Sequence, residues 1–332
     1  MGDYLFELAL QENWEGLATR LKEVTSSDTL MEPSTLLETF GPDEPLTQQS
    51  SLLHASVCLP TVPVSIVETI LQKAPSLALS RDTFGRTPLH VAVCHAPRAD
   101  VVRTLVREAA HSALQQDDTL MRPIDNLSQS ILMSEERSKY YDRHYHEHSN
   151  QKTTSQHLWD CVQPLAVALD PSGDYDWESP MVHACLRANN FPYALLERAM
   201  KRYGDDFGKA DQQGNHPLHI VAGIYSPDDD PEEQFLTSIA NRYPKAARIT
   251  NQQGKLALDL AIQAGLRGWS TGLAELLELY PAPENFSMPV STHLLGLASS
   301  QGRTTMLFEM LRNQPEFFSY RSGRSGDKMK PG

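Results

Sequence analysis

Cysteine is scarce in this chain, and basic charge falls short of acidic. Cys58, Cys94, Cys161 and Cys185 are the only cysteines in 332 residues, and no two of them stand as CxxC. That density excludes a disulfide framework. Cys58, Cys94 and Cys185 sit in apolar runs, where a free thiol acts as a small hydrophobe. A reducing compartment fits, so a cytoplasmic location is expected, with the nucleus equally compatible. Lysine and arginine total 29 against 42 aspartates and glutamates, for a formal net charge of −13. This balance disfavours nucleic acid and anionic membrane as main partners, because both are themselves negative.

Long apolar runs are missing too. The best candidate, LLHASVCLPTVPVSIV, is interrupted by Pro60 and Pro63 and does not reach the length of a membrane span. The opening MGDYLFELAL carries acidic early charge and no small-residue cleavage site, so it does not read as a secretory signal. Phe6 stands where a myristoylation pattern wants Ser or Thr. No GxSxG, phosphate-binding loop, GxGxxG or kinase signature is present. No catalytic residue, enzyme activity or cofactor is therefore expected.

What the chain does have is self-similarity. RYGDDFGKADQQG (202–214) and RYPKAARITNQQG (242–254) align without gaps at an offset of 40 residues. Pro75 and Pro244 each precede an Asp or Asn (Asp82, Asn251) by seven residues and a glycine (Gly85, Gly254) by ten. After each glycine comes GRTPLHVAV, GNHPLHIVA or GKLALDLAI, with weaker copies SLLHASV, MRPIDNL and PMVHACL. The histidine or its equivalent falls at 54, 90, 125, 183, 219 and 259, in steps of 36, 35, 58, 36 and 40.

Each unit has a physical reading. Gly85 suits a turn that needs positive φ. Thr87 is a helix N-cap, and Pro88 in the first helical position loses nothing by lacking an N–H. PLHVAVCHA then forms a short helix. In ADVVRTLVREAA, Val101, Val102, Leu105 and Val106 make one helical stripe. One helix pair cannot bury such a stripe alone, but stacked neighbours can.

DTFGRTPLHVAV resembles the ankyrin repeat, whose signature is a glycine before Thr-Pro-Leu-His and an Ala-rich first helix, and HPLHIVA is a second match. LFELALQENWEGLATRLKEV near the N-terminus, joined at Asn13, and HLLGLASSQGRTTMLFEMLRN near the end have the same two-helix outline. The resemblance implies an all-α solenoid of about eight helix-turn-helix units with short hairpin turns, over residues 3–320. Residues 321–332 form a basic tail, expected to be disordered. Steps above the usual length of about 33 residues imply longer loops.

The resemblance also assigns roles. His90 and His219 should bond neighbouring backbone and tie one repeat to the next, while Thr87 and Asp82 brace the turn. Asp125 and Asp259 replace the histidine, so that tie should be altered or lost there. Partners should meet the turn tips and the concave inner face of the first helices. The tip candidates are Thr83, Phe84 and Arg86; Gln212, Gln213 and Asn215; Gln252, Gln253 and Lys255. The reading is a non-enzymatic scaffold for a protein partner, and a basic segment would suit the acidic balance.

One step, 125 to 183, is about 22 residues longer than its neighbours. The excess coincides with 131–154, ILMSEERSKYYDRHYHEHSNQKTT, an insertion within one repeat that should project as a loop or short helix. Tyr145 is its candidate contact residue. His144, His146, His148 and His157 raise a rival, metal-binding reading. Their spacing matches no zinc motif, so no metal ligand is assigned. The acidic loops SPDDDPEE (226–233) and DPSGDYDWESP (170–180) read as solvated, with Tyr175 and Trp177 in the second able to receive a basic peptide.

Overall fold

In a computed structural model, the described residues are 2–24, 30, 51–145, 151–173, 175–224 and 233–264, with isolated positions 276, 279, 308 and 312. Among them the chain is helical, with no strand. It divides into two compact units, Met1–Tyr203 and Gly204–Gly332.

The first unit holds five helix pairs: α1 (Gly2–Leu10) with α2 (Trp14–Glu23), α3 (Leu52–Val57) with α4 (Val64–Lys73), α5 (Pro88–His95) with α6 (Ala99–Glu108), α7 (Pro123–Tyr145) with α8 (Gln151–Ala168), and α9 (Met181–Arg187) with α10 (Tyr193–Arg202). First helices stack in order, α1 on α3, α3 on α5 and α5 on α7, and second helices do the same from α2 to α8. The second unit holds α11 (Pro217–Ile224), α12 (Glu233–Arg242) and α13 (Ala257–Ala264), with α11 packed on α12 and on α13. The expected last pair lies outside the described residues except for Phe308 and Arg312, and the 321–332 tail lies outside them altogether.

The helices start where local chemistry directs. The Asn13 side chain accepts the Gly16 N–H at 3.0 Å and starts α2. Ser51 and Thr87 cap α3 and α5, each in a reciprocal box with the histidine three residues on. The α6 stripe is fully used: Val101, Val102, Leu105 and Val106 are each at most 1 % exposed. Burying a side chain of this size contributes about 1.5–3 kcal/mol, so the stripe is the main reason this helix docks.

Second helices do not run directly into the turns. Pro75–Leu79, Ala110–Leu114, Gly204–Gly208 and Pro244–Arg248 are each a 3-10 turn between a second helix and the next hairpin. In the long step between 125 and 183, no loop begins at residue 131: the backbone continues α7 to Tyr145, and α8 begins at Gln151. Arg198 of α10 donates to Glu135 of α7 at 2.9 Å, so the extended helix is anchored within the unit.

Besides its partner α7, α8 packs on two other α-helices. It packs on α6 as a second helix and also on α9, the first helix of the following pair. Trp159 of α8 is fully buried, with its ring 5.9 Å from Tyr203 in an edge-on arrangement.

Candidate functional site: the hairpin tips

Four hairpins share one construction. The Asp82 Oδ1 accepts the N–H groups of Phe84 and Arg86, both at 2.9 Å. Asp117 does the same for Thr119 and Met121 at 2.8 and 3.0 Å. Asp211 serves Gln213 and Asn215, both at 2.8 Å, and Asn251 serves Gln253 and Lys255, both at 3.0 Å. In every case the same residue also closes the turn through its own backbone, as Asp82 does with Arg86 and Gly85. Asp or Asn is needed because its short side chain reaches N–H groups two and four residues on.

The fourth hairpin position has positive φ each time: Gly85 at 70°, Leu120 at 63°, Gly214 at 76° and Gly254 at 73°. Adjacent tips touch through backbone. Asp118 donates its N–H to the Phe84 carbonyl, and Gln252 donates to the Gln213 carbonyl, each at 3.0 Å. A Cβ on Gly85 would meet Asp118 Oδ1 at 2.3 Å, and one on Gly214 would meet the Gln252 nitrogen at 2.9 Å. Glycine is therefore used there for close approach as well as for φ.

Beneath the tips, histidines fasten one repeat to the next. The Ser51 N–H donates to His54 Nδ1 at 3.2 Å, and His54 Nε2 meets the Arg86 carbonyl at 3.0 Å. Thr87 and His90 repeat this with Met121, at 3.1 and 3.0 Å. The His216 N–H donates to His219 Nδ1 in the same way, at 3.2 Å, but His219 Nε2 meets the carbonyl of Ile249, two residues before the Asn251 brace, at 2.9 Å. A backbone N–H can only donate and a carbonyl can only accept, so each ring is neutral with its proton on Nε2. Burial pushes His54 down to about 4, and burial likewise lowers His90 and His219. These histidines are structural ties.

Asp125 and Asp259 take over only half of that job. They accept the Arg122 and Leu256 N–H groups at 3.0 and 2.9 Å. A carboxylate cannot donate to the next carbonyl. In the first unit the donation comes from elsewhere: Gln163 of α8 donates to Trp177 at 2.8 Å, and Arg122 donates to Asn190 at 2.6 Å.

The predicted tip residues divide by exposure. Thr83, Gln212, Gln213, Gln252 and Gln253 are exposed, as is Phe84 at 44 %. Asn215 is buried, and its Oδ1 accepts from Asn251 at 2.9 Å, so it locks two tips together and offers nothing to solvent. Arg86 pairs with Asp82 at 2.8 Å and lies 4.8 Å from the Phe84 ring centre, so it braces the tip and backs the aromatic ring. Lys255 donates to Gln263 at 3.0 Å. Tyr145 ends α7, but its side chain and that of His144 are outside the description, and His146 and His148 lie outside the described residues altogether. Among the described residues no group of three or more His, Cys, Asp or Glu is arranged to hold a metal, and no helix is long and apolar enough to cross a membrane.

Sequence reading missed three exposed residues on the second tip, Asp118, Thr119 and Leu120. Counting back from MRPIDNL would have found them, but a leucine in the glycine position hid the match.

A comparison with family models matches residues 84–118 to the ankyrin repeat. The matched segment runs from the Phe84 tip through α5, α6 and the 3-10 turn to Asp118 on the next tip. The chain therefore carries an ankyrin repeat, a kind of unit that serves as a protein-interaction module. No curated protein matches the chain.

Proposed function

We propose that this chain is a non-enzymatic, intracellular scaffold that binds a protein partner through its hairpin tips and the inner face of its first helices. The repeat domain spans residues 3–320 in this reading, with 131–154 as an inserted extension and 321–332 as a basic tail. Thr83 and Phe84 in the first unit, and Gln212, Gln213, Gln252 and Gln253 in the second, are the contact residues. Arg86, Asn215 and Lys255 support them from behind. The observation that carries the reading is the contrast within each tip. Its backbone is held by an Asx brace and by the neighbouring tip, while its outer side chains face solvent. Such pre-ordering lowers the entropy lost on binding, and an exposed aromatic ring is a suitable anchor.

Affinity capture from an extract of the source cell tests this, with three baits: the intact chain, Phe84→Ala, and Gln213→Ala with Gln253→Ala. A protein retained by the intact bait and lost with a tip variant supports the reading. Retention by all three baits refutes it.

A further inference from the structure

We infer that the tip pair Phe84, Asp118 and Leu120 is a docking surface for a protein segment that presents one lysine or arginine between apolar side chains. The inference rests on the tip-binding reading above and specifies the partner for the first unit.

Leu120 is the outlier that motivates it. Three of the four hairpins place glycine at the positive-φ position, and this one places leucine at φ 63°. An L side chain is strained in that conformation. Its side chain recovers nothing by packing, because Leu120 is 71 % exposed. A lone exposed leucine is ordinary. A leucine that is both strained and exposed gains nothing among the described residues, which places its return in a partner. Phe84, 44 % exposed, stands on the adjacent tip.

Asp118 joins the two tips. Its N–H binds the Phe84 carbonyl at 3.0 Å, its carboxylate lies against Gly85, and Leu120 follows two residues on. The other charged side chains of the two hairpins are already bonded. Arg86 pairs with Asp82, Arg81 is held by Gln115 and the Gln116 carbonyl, Asp117 braces its own turn, and Arg122 pairs with Asp125. Asp118 is exposed, and among the described residues no cation pairs with it. The surface is thus a single open carboxylate flanked by two apolar groups, and its complement is a single cation flanked by apolar groups.

The test is selection from a random-peptide phage library on the full chain, followed by affinity measurement of the selected peptides on Phe84→Ala, Leu120→Gly, Asp118→Lys and Gln213→Ala/Gln253→Ala. Leu120→Gly suits the backbone already present, so that variant folds, and a melting curve verifies it. The wild-type chain should select peptides with Lys or Arg between apolar residues. Phe84→Ala and Leu120→Gly should weaken them by about tenfold or more, the scale of an interface anchor. Asp118→Lys should turn the preference to Asp or Glu within the same apolar frame. Peptides without a charge preference, or bound equally by Leu120→Gly and Asp118→Lys, overturn the inference. If such peptides are released by Gln213→Ala/Gln253→Ala, tip binding stands and only this surface is wrong. Failure to select any peptide overturns the surface, and the extract capture then decides the broader reading separately.

Discussion

Replacing His54 by glutamine should flatten the acid limb of the first unit's stability curve. His54 is neutral in the folded chain because its ring is buried. Arg86 and His90 also disfavour its charged form, opposed by the Arg86 carbonyl and Asp82. Its pKa falls from an ordinary 6.5 to about 4. The unfolded chain takes up a proton near 6.5 while the folded one does not until about 4. Between those values the unfolded state binds more protons, so stability rises with pH and is lost on acidification. A gap of about 2.5 in pH, at about 1.4 kcal/mol each, makes the loss about 3 kcal/mol for this one ring. Glutamine offers an amide donor for the Arg86 carbonyl but does not titrate. The assay is urea unfolding near pH 7 and near pH 4.5, followed by tryptophan fluorescence. Three of the four tryptophans, Trp14, Trp159 and Trp177, belong to the first unit and report on it. His90 and every carboxylate titrate alike in both proteins and cancel in the difference. The wild type should lose about 2–3 kcal/mol more than His54→Gln over that interval. Equal losses in the two proteins would refute the claim that this tie is a neutral, buried imidazole.

Three further outcomes follow from the same geometry. Gly85 and Gly173 share φ 70°, but a Cβ on Gly85 meets the Asp118 carboxylate and backbone nitrogen, whereas no described atom lies within 4 Å of one on Gly173. Gly173→Ala should lower stability by about 1 kcal/mol, and Gly85→Ala by about 2–3 kcal/mol because the Phe84–Asp118 hydrogen bond is lost as well. Calorimetry giving equal effects would show that the tips do not approach as described. Leu120→Gly should leave the melting midpoint unchanged or higher, since relief of about 1–2 kcal/mol of backbone strain opposes about 1 kcal/mol of added unfolded-state freedom; a clear drop would mean that Leu120 is packed. Gln163→Met keeps the side-chain volume and removes the donor to Trp177 and Ser179, so it should lower stability by about 1–3 kcal/mol in urea unfolding.

Features carried by local chemistry were legible in the sequence directly, and most features carried by tertiary contact were not. The repeat phase and the Thr87 cap could be read from residue type and spacing, whereas the Asp82 brace and the His90 tie to Met121 were implied by the resemblance to the ankyrin repeat. The 3-10 turns left only the recurring Pro75 and Pro244 as a trace, since a single turn has no periodicity to detect. Asn215 looked like a tip residue because it follows a glycine, as Arg86 does. Which of the two faces solvent depends on the next hairpin, where Asn251 reaches back to Asn215. Arg86 was legible as a tip residue but not as a brace, because its pairing with Asp82 and its place over Phe84 appear only when the hairpin closes. Counting marked out 131–154 as extra sequence. Within it, residues 131–145 continue α7 and residues 151–154 open α8, an outcome the stretch of histidines and tyrosines does not announce.

The ties also explain where the repeat pattern can decay. A neutral histidine does two things at once: Nδ1 accepts from the cap of its own helix, and Nε2 donates to the following repeat. Aspartate preserves the first and abolishes the second, because both of its oxygens only accept. A buried carbonyl left without a donor costs about 1–3 kcal/mol, so a repeat with Asp125 persists only if another donor arrives. That donor is Gln163, on a second helix lengthened enough to pack on both α6 and α9. Loss of the histidine is thus offset from α8, whose Gln163 donates to the Trp177 and Ser179 carbonyls. Restoring histidine at position 125 alone would not rebuild the regular tie, because the Ser179 carbonyl is already held by Gln163 of α8.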